Sequence, residues 1–304
     1  RGIKARCEDL VAGEEASKAL DELLSAAGCL AAEGWPQRMK NGQPGSAGEA
    51  LLAHIYGIVY ARAPGRDGPY SLEVEAIDPP KDLLVTARDL HQALEALGEP
   101  ARRLRKLLLK RLDDEADELD GNTRARIELV CRSLENRCEM TVSAWCGMLE
   151  SLAEGTPVAF VDWYAVDRVD GRDMDVGLHR HWLDPTQPFA TVVAGPAQGV
   201  LVTSATLTDG SGDEGKDWKA AEARTGASHL KFGAERALVP SPFDYANQTR
   251  VIVINDVRKD DLGQVAAAYR ELMLASGGGA LGLFTAISRL RAVHERIVAP
   301  LEGA

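Results

Sequence analysis

The run VLVTSATL, Val200–Leu207, carries the most specific information about the fold and role of this chain. From Gly199 to Leu207 it is apolar almost throughout, which is typical of a parallel strand covered on both faces. It ends in Thr203, Ser204, Ala205 and Thr206. Ligands of open α/β sheets bind beyond the carboxyl ends of the strands, so small hydroxyl residues at that end are candidates for a functional segment. The alternative is an ordinary strand that ends in a Ser/Thr turn.

Strands and helices alternate after this run. The pattern predicts strands at Val251–Asn255 and Ala280–Thr285, and helices at 217–226, Asp261–Ala275 and Ile287–Val298. A β-α-β-α order implies a parallel sheet with right-handed crossovers. The fold class expected from the residues is therefore α/β.

A hairpin and a helical region precede the run. Val158–Asp167 and Asp173–Trp182 are strand-like and flank Asp170-Gly171, a strong hairpin signal. Before them, a short strand is predicted at Tyr70–Ala76. The predicted helices of the region are Gly48–Arg62, Ala87–Leu97, Ala101–Leu119, Asn122–Asn136 and Val142–Leu152.

Composition sets limits on the class of protein. The 304 residues suffice for two domains, and no run of 18 apolar residues predicts a membrane helix. The net charge of −11 argues against a chain that coats DNA non-specifically, although a local basic groove stays compatible with it. The five cysteines are an odd number and no secretory signal is visible, so we expect reduced thiols and a cytoplasmic protein.

Three runs in a fixed order carry a family resemblance. The TSAT run is followed by Ser241–Tyr245 (SPFDY) and then by Gly278–Thr285 (GGALGLFT). This order resembles the DinG/XPD branch of superfamily 2 helicases, in which a SAT motif closes a strand of the first RecA-like domain. An SPF-type segment of that family then crosses to the second domain, which begins with an LFT-type strand. Val176–Phe189 (VGLHRHWLDPTQPF) is most similar to bacterial DinG-like proteins.

The resemblance implies RecA-like parallel sheet parts, of the P-loop NTPase type, with a mostly helical arch insertion. Residues 1–155 would form the arch, 156–245 the end of the first RecA-like domain and 246–304 the start of the second. The parent protein would be an ATP-dependent DNA helicase, moving 5′ to 3′. It would use ATP and Mg²⁺, hold a DNA single strand in the motor groove, act as a monomer and need no membrane.

Two departures limit what this chain can do alone. It contains neither a GxxxxGK[ST] phosphate loop nor a DEAH box, and no arginine motif of the QxxGRxxR kind. In the family, the first two precede the arch and the third follows the LFT-type strand. We therefore expect the chain to be an internal slice that does not hydrolyse ATP by itself. Many relatives carry a four-cysteine iron–sulfur cluster before the DEAH box, so any cluster of the parent protein would lie upstream of this chain.

Two glycine-rich runs imitate phosphate loops. Gly210–Lys216 (GSGDEGK) fits GxxxxGK, but the next residue is Asp217, which lacks the hydroxyl that holds Mg²⁺ and would repel phosphate. We expect a solvated acidic loop there. Gly277–Gly279 joins a helix to a following strand, the wrong order for a phosphate loop, and a helix cap is the expected role.

Other chemistry-bearing residues favour structural roles. Cys131, Cys138 and Cys146 lie on predicted helices with a spacing unlike that of cluster ligands, so we expect packed thiols. His179 and His181 share one face of a strand but have no evident third metal ligand. A basic run lies on one predicted helix and comprises Arg102, Arg103, Arg105, Lys106, Lys110 and Arg111. Acidic residues follow it at once, which favours an ion-paired helix face over a DNA contact.

The candidate functional residues therefore form two sets. Thr203, Ser204, Ala205 and Thr206 are expected to couple the ATP cycle to the grip on DNA, with Ser204 and Thr206 the main candidates. Thr285, Ser288 and Arg289 stand at a strand end and a helix start, where hydroxyls, backbone N–H groups and the helix dipole can hold a phosphate. The resemblance implies that this region contacts the translocating strand. A simple helix cap is the alternative for the second set. Two other functions stay open: a non-catalytic nucleic-acid or protein-binding module, and a helicase-like exonuclease.

Overall fold

The computed structural model describes residues 2–302, which are mostly helical with one small antiparallel sheet. The chain divides into two compact units, the first ending at Ala234 and the second beginning at Glu235. No helix among the described residues is long and apolar enough to cross a membrane.

The first unit is a helical assembly with a three-stranded sheet. Its strands are β1 (Leu72–Glu75), β2 (Phe160–Val169) and β3 (Arg172–Trp182). Its helices are α1 (Gly2–Cys7), α2 (Glu14–Ala26), α3 (Trp35–Lys40), α4 (Ala47–Arg62), α5 (Lys81–Asp114), α6 (Gly121–Leu134), α7 (Thr141–Glu154), α8 (Thr186–Phe189) and α9 (Glu214–Thr225). Two π-helical turns, Glu135–Met140 and Ala190–Ala194, follow α6 and α8.

Helix α5 is the central element of the first unit. The sequence predicted two helices, 87–97 and 101–119, but a single helix of 34 residues runs through Pro100. That expectation was wrong because buried side chains continue at helical spacing on both sides of the proline, as Leu94, Leu97 and Leu104 show. Packing of this apolar face against α2, α4, α6 and α7 outweighs the hydrogen bond that proline removes.

The predicted hairpin is confirmed. Strands β2 and β3 pair antiparallel, and β1 joins the other edge of β2, giving the order β1-β2-β3. Asp170 and Gly171 both have positive φ, 51° and 76°, as the tight primed turn of a two-residue hairpin requires. Tyr164 is fully buried on the face that packs against α4, so the sheet forms one wall of the main hydrophobic core.

The prediction of parallel strands was wrong. The segments 199–207, 251–255 and 280–285, referred to below as the three apolar segments, form no strand in the described chain. Leu201, Val251 and Leu281 are 89%, 87% and 84% exposed. A strand is held by hydrogen bonds to a neighbouring strand, and no described segment pairs with these three. The described chain therefore lacks a parallel RecA-like sheet.

The second unit consists of a packed pair of helices and one short helix before them. It contains α10 (Tyr245–Gln248), α11 (Leu262–Ala275) and α12 (Ile287–Glu302), and α11 packs against α12 around Ala266, Val293 and Ile297. Asp261 accepts hydrogen bonds from the backbone N–H groups of Gly263 and Gln264, so it is the N-cap residue of α11.

Candidate functional site

The TSAT run lies in an exposed turn. Ser204 and Thr206 approach each other, with their hydroxyl oxygens 3.4 Å apart, and the backbone N–H of Thr206 donates to Ser204 Oγ at 3.1 Å. Thr203 and Ala205 are also exposed. The geometry is the Ser/Thr turn that the sequence left as the alternative, because a hydroxyl two residues back can satisfy a backbone N–H locally.

Helix α9 holds this turn in place. The Arg224 guanidinium donates to the carbonyl oxygen of Leu207 at 2.9 Å and pairs with Asp209 at 3.0 Å. These contacts anchor the backbone directly after the TSAT run, while the TSAT side chains stay exposed. They are free to meet another segment or ligand.

The imitation phosphate loop is filled by its own carboxylates. Asp217 is buried and accepts from the backbone N–H of Ser211 at 2.9 Å, while Asp213 caps α9 by accepting from the N–H of Lys216. Backbone N–H groups of this kind are what a phosphate loop offers to its ligand. Because carboxylates already occupy them, the loop of residues 210–216 is organised as an acidic helix cap.

The second set of predicted site residues, Thr285, Ser288 and Arg289, lies at the start of α12. Thr285 and Ser288 are exposed, and Arg289 is half-buried with its guanidinium donating to the carbonyl oxygen of Lys259. That contact ties the start of α12 to the loop before α11. The two hydroxyl groups flank the first turn of a 16-residue helix, where free N–H groups and the helix dipole favour an anion.

The segment before α12 has the side-chain alternation of a strand. From Leu281 to Ala286, exposed residues alternate with half-buried ones, and Leu283 is 76% exposed. On the covered face, the rings of Phe284 and Tyr269 stack with centroids 4.7 Å apart. The Tyr269 hydroxyl also donates to the carbonyl oxygen of Leu283 at 2.9 Å. One face of this segment thus packs on α11, while the other is bare.

The basic run on α5 is an ion-paired face, as its sequence favoured. Arg105 pairs with Glu135 at 2.8 Å, and Arg111 pairs with Glu115 at 2.8 Å. Arg103 pairs with Glu22 of α2. Charges neutralised in this way are poor candidates for phosphate contacts.

The cysteines are packed thiols. Cys7 and Cys131 lie in the main core, and burial, the largest cause, raises the pKa of each to about 11. Burial likewise raises the pKa of Cys138 and Cys146. Among the residues described, no group of three or more His, Cys, Asp or Glu side chains is arranged to hold a metal ion.

The two histidines of β3 pack on a tryptophan. The ring of His179 stacks on Trp163 with centroids 5.2 Å apart, and His181 meets the same ring edge-on at 4.8 Å. A side chain at Gly177 would collide with His179, since its Cβ would come within 2.8 Å of Nε2. The shared face that the sequence predicted is therefore an aromatic cluster.

No model of a known protein family matches this chain, and a comparison with curated proteins finds no match.

Proposed function

We propose that this chain is part of an ATP-dependent DNA helicase of the DinG/XPD type, moving 5′ to 3′. The observation that carries the proposal is the order of the three apolar segments, each followed by a helix: α9 after the TSAT run, α11 after 251–255 and α12 after 280–285. A strand followed by a crossover helix is the repeating unit of a parallel sheet.

The exposure of the three apolar segments supports the same interpretation. Val251, Ile252 and Val253 are each more than 70% exposed, a costly arrangement for consecutive β-branched residues in water. Such side chains become stable once neighbouring strands and helices cover them. The segment at 281–286 already packs one face on α11, as a strand beneath its crossover helix does.

In the proposed motor, ATP and Mg²⁺ bind between two RecA-like lobes through groups that this chain lacks. Ser204 and Thr206 would hydrogen-bond across the closing cleft, so that nucleotide-driven closure alters the grip on the DNA strand. Thr285, Ser288 and Arg289 would hold a phosphate of that strand at the start of α12. The helical region before β2 would be the arch.

The surrounding gene gives the first test. A helicase requires a GxxxxGK[ST] run and a DEAH box before this chain and an arginine motif after it. The complete reading frame is expected to encode all three. A reading frame without them contradicts the proposal, and a carboxylate-rich exonuclease segment ahead of the motor would favour the nuclease instead.

The full-length protein gives the second test. Thr206→Ala is expected to leave most DNA-stimulated ATP hydrolysis intact while it reduces unwinding of a forked duplex at least about tenfold, about 1.4 kcal/mol of coupling. Thr191→Ala removes another exposed hydroxyl of the same region and serves as the control. Equal loss or equal retention of the two activities in Thr206→Ala would refute the coupling role.

A further inference from the structure

A large groove opens among the helices of the first unit, and no residue of the TSAT run lines it. It measures about 870 Å³ and lies between α1, α2, α5, α6, the π-helical turn at Glu135–Met140 and α7. Its floor is formed by core side chains such as Leu23, Leu97 and Val142. The groove is therefore apolar and belongs to the stable core of this unit.

The charged residues that line the groove are all arginines. Arg6, Arg126 and Arg137 line it, and no carboxylate of the described chain is part of its lining. Arg126 is held by a two-pronged pair with Asp9, but Arg6 and Arg137 are exposed and form no ion pair with any described residue. On a chain of net charge −11, a carboxylate-free lining with two unpaired arginines selects an anionic partner.

Trp145 extends the groove. This side chain is 43% exposed and also lines a neighbouring apolar cavity of about 430 Å³, in which no charged residue of the described chain takes part. Leu129 stands at the groove and is 61% exposed. Exposed tryptophan, leucine and arginine around an apolar floor have the composition of the anchor region of a protein interface.

The shape favours a helix over a small molecule. Cavities for small ligands bury roughly 70–90% of the ligand, whereas this groove remains open beside Leu129 and Trp145. An amphipathic helix instead needs an open, elongated groove for one apolar face. Its remaining faces stay in water, where acidic side chains can reach Arg6 and Arg137.

We propose that this groove binds an acidic amphipathic helix of a partner protein. Leucine-type side chains of the helix would fill the apolar floor and pack against Trp145. Carboxylates on the flank of the helix would pair with Arg6 and Arg137. The inference does not depend on the helicase proposal, because the groove contains none of the residues proposed to contact ATP or DNA.

The test uses two matched peptides of about 14 residues, roughly 21 Å long as helices. Both carry leucines at i, i+3, i+4 and i+7, one with glutamates on the flanks and its twin with lysines. Fluorescence anisotropy with the purified chain is expected to show saturable binding of the glutamate peptide. Binding of the lysine twin should be at least about tenfold weaker. Added salt should weaken binding of the glutamate peptide, because it screens the ion pairs.

Variants of the chain localise the binding. Arg6→Glu/Arg137→Glu is expected to weaken binding of the glutamate peptide at least about tenfold. Arg88→Glu/Arg172→Glu makes the same change of charge at two exposed arginines outside the groove and should leave binding unchanged. Leu129→Gln, at a side chain that is 61% exposed, should also weaken binding.

Several outcomes overturn the proposal. They are no binding of the glutamate peptide, equal affinity for its twin, or unchanged binding by Arg6→Glu/Arg137→Glu. Dodecanoate and oligothymidylate are tested on the same variants. If either binds through these arginines while the peptide does not, the groove belongs to a small amphiphile or to nucleic acid, and the helix partner is excluded.

Discussion

Arg168 and Asp173 form an ion pair of 2.9 Å across the end of the β2–β3 hairpin, although only 5% and 13% of their side chains are exposed. The hydroxyl groups of Tyr56 and Tyr60 on α4 donate to the same carboxylate at 2.9 Å. Burial raises the pKa of Asp173, but the hydrogen bonds from Tyr60, Arg168 and Tyr56 outweigh it and hold that pKa below its ordinary value. The network therefore fastens the sheet to α4.

Asp173→Ala is expected to destabilise the first unit by about 3–5 kcal/mol, because it leaves the buried Arg168 without its partner. Urea unfolding at neutral pH, followed by tryptophan fluorescence, measures the change. All five tryptophans precede residue 235, so the signal reports the first unit. Asp167→Ala, at an exposed position of the same hairpin, should stay within about 0.5 kcal/mol. A similar effect of both substitutions would show that the network contributes nothing specific.

Glu49 is a second buried carboxylate, 1% exposed, at the start of α4. It accepts from the Arg38 guanidinium at 2.9 Å and from the backbone N–H groups of Ala32 and Gly45 at 3.1 and 2.7 Å. The Arg38 guanidinium is the largest cause that lowers the pKa of Glu49, from 4.5 to about 2. Its carboxylate thus joins the loop after α2 to α4.

The pH dependence of stability follows from that lowered pKa. A group with a lower pKa in the folded state stabilises it fully above pH 4.5, and this contribution is lost as the pH falls towards 2. Glu49→Gln should lower the free energy of unfolding at pH about 7 by about 1–3 kcal/mol. The difference from the wild type should shrink steadily below pH about 4.5.

Urea titrations from pH about 7 to about 3 measure this difference. Glu33→Gln, at an exposed neighbouring glutamate, is the control and should match the wild type throughout. A gap that stays constant with pH would mean that Glu49 acts through packing and not through its charge.

The sequence predicted local structure well and long-range pairing poorly. The helix at 48–62 and the Asp170-Gly171 turn were correct because their signals are local: a Ser46 cap, apolar spacing and the turn residues themselves. The three apolar segments failed because strand formation depends on partners distant in sequence. An apolar run indicates only that burial of its side chains is favourable. It does not indicate that a neighbouring strand is present to pair with it.

The candidate site divides in the same way. The TSAT turn and the start of α12 could be located from sequence, since each is a short run next to a helix. The groove could not, because Arg6, Arg126 and Arg137 come from separate elements and only the packing of α1 and α6 brings them together. Trp145 likewise gave no signal, as an aromatic residue on a helix is usually a core residue.

Gly171→Ala tests the hairpin turn. Its φ of 76° lies in the left-handed region, where a Cβ costs about 1–2 kcal/mol, so the substitution should destabilise the first unit by that amount. Tryptophan fluorescence during urea unfolding again gives the measurement. Gly199→Ala is the matched control, because its added Cβ would meet nothing within 4 Å and its φ is not in that region. Equal effects of the two would contradict the turn geometry.

Hydrogen exchange tests the interpretation of the three apolar segments. In this chain, the backbone N–H groups at 200–203 and 251–254 lack strand partners, so they should exchange near the rate of an unfolded chain. The paired residues of β2 and β3 should exchange far more slowly and serve as the internal control. Protection is measured peptide by peptide with mass spectrometry.

The same measurement on the full-length protein discriminates between the functions. If the segments are strands of RecA-like sheets, their N–H groups become protected by at least about a hundredfold, since each strand then gains a hydrogen-bonded neighbour. Rapid exchange in both proteins would instead describe permanently exposed loops and would remove the structural basis of the helicase proposal. Added ATP should increase the protection at Thr206 further, because the proposed role of its hydroxyl is to bridge the closing lobes.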